Sequence, residues 1–108
     1  MQGAEDPLEA YNRGLEHLDY NEPDLAIAAF TAAVELKPTS AHAWFARGFA
    51  HAVRGDLPQA IADYSHTIRL DPAHAAAFQN RAAAYREQGQ LEQAQADELA
   101  SHRLKGSR

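Results

Sequence analysis

Residues of one kind return every 34 positions along this chain. Gly14 and Gly48 stand one such step apart, and Ala82 follows after the next. Ala26, Ala60 and Ala94 keep the step, as do Leu36, Leu70 and Leu104, and Pro38 and Pro72. A fixed period of this size marks stacked copies of one supersecondary unit, each too small to bury its apolar face alone. Such an array is a scaffold whose surface does the work, which argues against a catalyst built around one pocket. The 108 residues make one small domain by length. They divide into a short tail (1–6) and three copies at 7–40, 41–74 and 75–108.

Each copy reads as two helices joined by a tight turn, and the second is the clearest. Ser40 is placed to cap a helix starting near Ala41. That helix should stop near Arg54, because Gly55 readily takes the left-handed conformation that closes a helix. Asp56 then caps a second helix, with Pro58 in its first turn, where a missing N–H costs little. Ile61, Tyr64, Ile68 and Leu70 continue at helical spacing until Asp71-Pro72, since a residue before proline is pushed out of the helical region. In the third copy Phe78, Ala82 and Tyr85 mark the first helix, Gly89 its end, and Leu91, Ala94 and Leu99 the second. The first copy starts near Pro7, turns at Asn21-Glu22-Pro23-Asp24, and resumes with Ala26, Ile27, Phe30, Val34 and Leu36.

The small residues have a packing reason. Two helices approach closely only where a side chain is missing, so Gly48 and Ala60 are expected to form notches that large neighbours fill. Trp44, Tyr64 and Phe78 are the expected neighbours. An Ala60→Leu change should overpack the contact and cost roughly 1–3 kcal/mol.

Composition narrows the function classes. No apolar run approaches the ~20 residues of a membrane span, so no membrane insertion is expected. The acidic start, through Asp6, lacks the charged-then-apolar pattern of a secretory signal. The chain has no cysteine, which excludes disulfides, thiolate nucleophiles and cysteine metal sites and leaves the compartment open. A net charge of −5 argues against nucleic acid as a partner through a general basic surface. The charge is also uneven: residues 1–40 hold eight acids and two bases, while 75–108 hold four acids and five bases.

Trp44, Arg47-Gly48, Gly55-Asp56-Leu57, Ala60-Ile61, Tyr64 and Leu70-Asp71-Pro72 together resemble the tetratricopeptide repeat signature. The resemblance covers residues 7–108 as three repeats in strict register. It implies an all-α fold, an α-solenoid of three helix-turn-helix repeats forming a short right-handed superhelix. It also implies that the first helix of each pair lines a concave groove where partner peptides or protein segments bind. Some positions depart from the family pattern. His17 and His51 occupy a column that is usually aromatic, Glu98 stands where Phe30 and Tyr64 stand earlier, and Gly106 replaces the closing proline. The last helix is thereby polar, as a terminal repeat needs to be, and is expected to cap the array itself.

Several constellations have plain structural readings. Arg13, Arg47 and Arg81 share a column, and Asp63 and Asp97 lie 16 residues after the second and third. An ion pair between the two helices of a repeat is expected there, worth at most about 1 kcal/mol if exposed. Ala29 holds the matching place in the first copy, leaving Arg13 without this partner and open to a ligand as a minority reading. His42, His66, His74 and His102 are expected on the surface, and no two histidines stand at i, i+4, so neither a metal site nor a cofactor is expected. Arg54-Gly55-Asp56 spells a cell-adhesion tripeptide but falls on a turn that needs glycine and a capping aspartate anyway. Catalysis finds no support. Ser65-His66 is only a neighbour pair, and side chains at i and i+1 of a helix do not face each other.

The groove is where the copies differ. Helical period places Leu8, Tyr11, Asn12, Leu15 and Leu18 on its face in the first copy. The second contributes His42, Phe45, Ala46, Phe49 and Val53, and the third Ala76, Gln79, Asn80, Ala83 and Arg86. Helix 41–54 is apolar nearly all round, which normally means burial on more than one side. Its neighbours cover only part of it, so Tyr11, Leu15, Phe45 and Phe49 should expose a patch of a size that marks binding surfaces. The opposing expectation is that Phe45 and Phe49 are intercalated between helices.

Chaperone adaptors of this family grip a C-terminal carboxylate with lysine, asparagine and arginine. Asn80 resembles the asparagine of that clamp, but the preceding lysine and asparagine would fall at Phe45 and Phe49, so the clamp is not expected. The chain is thus read as a non-enzymatic interaction scaffold. It would hold an apolar or amphipathic protein or peptide partner through Tyr11, Asn12, Leu15, Phe45, Phe49, Val53, Asn80 and Arg86. Self-association, head to tail or through the groove, is the alternative, as is service as the docking arm of a larger protein.

Overall fold

A computed structural model describes residues 5–106; the first four residues of the expected tail and the last two of the third repeat lie outside it. Six α-helices follow one another: α1 Pro7–Asp19, α2 Pro23–Leu36, α3 Ala41–Arg54, α4 Leu57–Leu70, α5 Ala75–Glu87 and α6 Leu91–Leu104. No strand occurs among the described residues.

The helix ends follow the local chemistry. Ser40 accepts from the N–H of Ala43 and Asp56 from that of Gln59. Asp6 and Glu9 form a reciprocal capping box at α1. His74, expected on the surface, is half-buried and caps α5, its Nδ1 accepting from the N–H of Ala77 at 3.1 Å. The left-handed residue that closes each first helix is Asn21, Gly55 and Gly89, one column at the 34-residue step. Beyond it the N–H groups of Glu22, Asp56 and Gln90 reach back to the carbonyls of His17, His51 and Tyr85 at 2.8–2.9 Å. This is the Schellman closure.

Within a repeat, the two helices meet at a notch. A methyl group at Gly48 would lie 2.9 Å from the Tyr64 ring and 3.1 Å from Asp63 Cβ. At Gly14 the Phe30 ring is closer still. Trp44, expected at this notch, stands elsewhere: it stacks on His66 with centroids 3.7 Å apart and donates its indole N–H to the carbonyl of Pro38 at 2.8 Å. That stack makes His66 half-buried too, against the surface expectation. In the third repeat both partners change together. Ala82 fills the notch and Glu98 takes the ring's place, bonding Arg86 at 2.7 Å.

Between repeats the contact is apolar and small. Ala10, Ala33, Val34 and Ala43 form one buried cluster, and Ala26, Phe30, Ala46 and Ala50 another. Ala60, the second expected notch residue, is fully buried.

The arginine column ties the stack together. Arg47 forks onto Asp63 with two bonds of 2.9 Å and reaches Thr31 of the preceding repeat at 3.3 Å. Arg81 repeats this with Asp97 at 2.8 and 2.9 Å and Ser65 at 2.9 Å. Asp63 is 3% exposed and Asp97 5%, so the carboxylate end of each pair is buried and the rung is more than the surface pair the spacing alone suggests. The Asp97 bonds raise the Arg81 pKa further above its ordinary value. Arg13 is not left to a ligand: it forks onto Glu5 at 2.7 and 3.0 Å, an exposed pair at the start of the chain.

The odd helices form one layer, because α1 touches α3 and α3 touches α5. Among the described residues the even helices make no comparably close backbone approach to one another. The odd layer is therefore the tighter, inner side of a body measuring 52 × 27 × 19 Å.

Candidate partner-binding groove

The inner layer carries a broken apolar stripe. Leu8 is 65% exposed, Leu15 37%, Phe49 43% and Val53 47%. They are apolar residues on one side of α1 and α3, although leucines of the even helices such as Leu25, Leu91 and Leu99 are as exposed. Phe45 differs from Phe49. It is half-buried, with its ring 5.6 Å from that of Tyr64 and 4.8 Å from that of His74. The intercalated expectation thus describes Phe45, while Phe49 projects.

Two cavities open along the odd helices, and Phe45 lines neither. One of about 220 Å³ lies between α3, α4 and α5 and is lined by Phe49, Ala52, Leu57, Tyr64, Asn80, Ala83, Ala84 and Glu87. The ring of Tyr64 forms its floor and is fully buried, which pushes the phenol pKa up to about 12, with the polar amide of Asn80 pulling against burial. Asn80 is half-buried there, so its amide is held at the edge of an apolar hollow. The other cavity, of about 180 Å³, lies between α1 and α3 and includes Leu8, Tyr11, Lys37 and His42. Tyr11 is half-buried, its ring 5.8 Å from that of Phe30.

The remaining expected residues stand apart. Asn12 is exposed, in the column of Ala46, which is buried against the first repeat. Because no described element packs ahead of α1, Asn12 lies on the end of the stack. Arg86 is exposed and bonds Glu98, in a separate cavity between α5 and α6. Leu57 and Tyr64 belong to the second helix of their repeat and were not expected in the groove. The signal for Tyr64 was available: it lies 16 residues after Gly48, as Phe30 does after Gly14.

The histidines form no ligand cluster. No group of three His, Asp or Glu side chains able to hold a metal occurs among the described residues. His51 is half-buried, 3.9 Å from Asp63, and its Nδ1 has no hydrogen-bond partner. Burial lowers its pKa, against the pull of Asp63 and Asp56. Arg54 and Asp56 of the adhesion-like tripeptide are both engaged, Arg54 with Asp24 and Asp56 as a cap. No helix among the described residues is long and apolar enough to cross a membrane.

Three helical hairpins in register, with small residues at fixed columns and an inner layer of first helices, define a helical-repeat scaffold. The chain belongs to the tetratricopeptide repeat family: one family profile matches residues 11–72 and a second matches 64–96. No curated protein matches it in sequence. Among solved structures it is similar to MamA, with 24% identity, a TM-score of 0.91, and coverage of 93% of this chain and 58% of that one. It thus spans little more than half of the MamA chain. The first repeat domain of Spaghetti (RPAP3), bound to the HSP90 peptide SRMEEVD, is similar at 20% identity and a TM-score of 0.92, covering 95% of this chain and 82% of that one. The TPR2B domain of yeast Sti1, solved as a pHsp70 complex, is similar at 26% identity and a TM-score of 0.89, covering 91% and 78%.

Proposed function

We propose that this chain is a non-enzymatic protein-interaction scaffold that seats a peptide or protein segment along its inner layer. The observation that carries the reading is the cavity beside Phe49, a mainly apolar hollow with the amide of Asn80 and the carboxylate of Glu87 among its lining. Its volume suits one apolar side chain, and Asn80 is placed to bond the backbone of the segment that delivers it. Leu15 and Val53 extend the apolar contact, and Phe45 and Tyr11 support it from below. The peptide complexes of similar repeat domains are in keeping with this use. The segment here should be apolar or amphipathic, because Phe45 and Phe49 offer no charge to a terminal carboxylate. Helix-in-groove and extended modes both fit such a surface.

The test is selection of binders from a random peptide library, followed by titration of the winners against wild type and Phe49→Ala. Loss of a central aromatic contact is worth roughly 2 kcal/mol, so affinity should fall by at least about tenfold. Phe49 is exposed, so the melting temperature should hold. Winners that bind the variant equally well, or a library that yields none, would remove the groove from the account.

A further inference from the structure

The cavity between α5 and α6 is the largest described, about 450 Å³, and it is open at the end of the stack. Gln79, Arg86, Glu98, Ser101, His102 and Lys105 line it. Two steps of 34 back, these columns hold Tyr11, Leu18, Phe30, Ala33, Val34 and Lys37. Most of those are the residues on which α3 rests. The cavity is therefore the seat of a further first helix. Beside Ala83, most of its lining side chains end in polar or charged groups, which the alanine columns of a helix like α3 could not pair.

We propose that the seat takes α1 of a second copy of this chain, giving a head-to-tail contact separate from the inner groove. Charge supports this occupant. The columns by which α3 meets the first repeat are Ala43, Ala46 and Ala50; in α1 they hold Glu9, Asn12 and Glu16, all exposed. Carrying the observed packing across the boundary sets the second copy's Glu9 against Ser101 and His102, and its Glu16 against the Arg86–Glu98 pair. Glu98 is the opposing carboxylate, and Arg86 already holds it at 2.7 Å. Lys105, bonded to Gln79 at 2.8 Å, adds a second cation to the seat. The contact is heterologous, so each copy keeps one free end and the assembly extends rather than closes.

A charge swap tests it. Wild type is followed by sedimentation velocity over a concentration series at low salt and at about 1 M, where the screening length falls to about 3 Å. It should associate in the first and lose that association in the second. R86E and E16R should each associate at least about tenfold more weakly, since each sets like charges across the contact. An equimolar mixture should recover the association, because E16R keeps a normal seat and R86E a normal α1. Circular dichroism of each variant confirms its helices. A monomeric wild type, variants that associate as wild type does, or a mixture of folded variants that stays monomeric overturns the proposal. Loss of library-peptide binding at Phe49 would leave this result untouched, and the reverse holds too.

Discussion

Gly14→Ala should lower stability even though it replaces a poor helix former with the best one. Alanine in a helix interior is favoured over glycine by about 1 kcal/mol. At Gly14 the added methyl would lie 2.6 Å from Cδ1 and 2.7 Å from Cζ of Phe30. Phe30 is fully buried and packed against Ala26, Ala46 and Ala50, so its ring cannot withdraw without moving the second repeat. Overpacking of this kind costs roughly 1–3 kcal/mol, and a ring held on every side belongs near the top of that range. The net loss is therefore about 2 kcal/mol, or about 10 °C in melting temperature for a domain of this size. The comparison is Ala82→Gly, in the same column but without an opposing ring, which should lose the helix term of about 1 kcal/mol and the burial of one methyl, about 0.8 kcal/mol. Thermal melts followed by circular dichroism suffice. If Gly14→Ala melts at or above wild type, the notch does not set the approach of α1 and α2.

Three further outcomes follow from single residues. Arg81→Met strands the buried Asp97 carboxylate and should cost about 3 kcal/mol, while Arg13→Met, in the same column but paired on the surface, should change chemical denaturation by less than about 0.5 kcal/mol. Asn21 holds φ at 58°, so Asn21→Ala should cost about 1 kcal/mol and Asn21→Gly should not; equal effects would contradict the left-handed closure. His51 has a lowered pKa in the folded chain, so the unfolded chain takes up the proton first. The stability this confers is full above the unfolded value of about 6.5 and is lost as pH falls through the lower, folded one. His51→Phe should flatten that part of a stability–pH profile, and an unchanged slope would refute the assignment.

The fold was legible because its rules are local and repeated. Ser40, Gly55 and Asp56 announce helix ends by chemistry that needs no tertiary context, and the period carries those signals to the weaker copies. The pairs Arg47–Asp63 and Arg81–Asp97 were legible for the same reason, both partners lying within one repeat. Contacts without a periodic counterpart were not. Glu5 reaches Arg13 from ahead of the array, where no column predicts it. His74 reads as a surface histidine until the turn after Pro72 places its ring over the start of α5. Phe45 and Phe49 share a face by spacing, yet one is clamped by Tyr64 and His74 while the other projects. That difference depends on how neighbouring repeats overlap, which periodicity does not specify. Glu98 was legible as a departure, but its link to Ala82 emerges only when the notch is seen to pair residues 16 apart.

The inner groove is tested most directly by backbone amide NMR during titration with a library-selected peptide. Binding as proposed shifts the amides of Leu15, Phe49, Val53, Asn80 and Ala83, on the odd helices, and leaves the outward residues of α2, α4 and α6 in place. Shifts centred on the even helices, with Phe49 and Asn80 unmoved, would contradict the account.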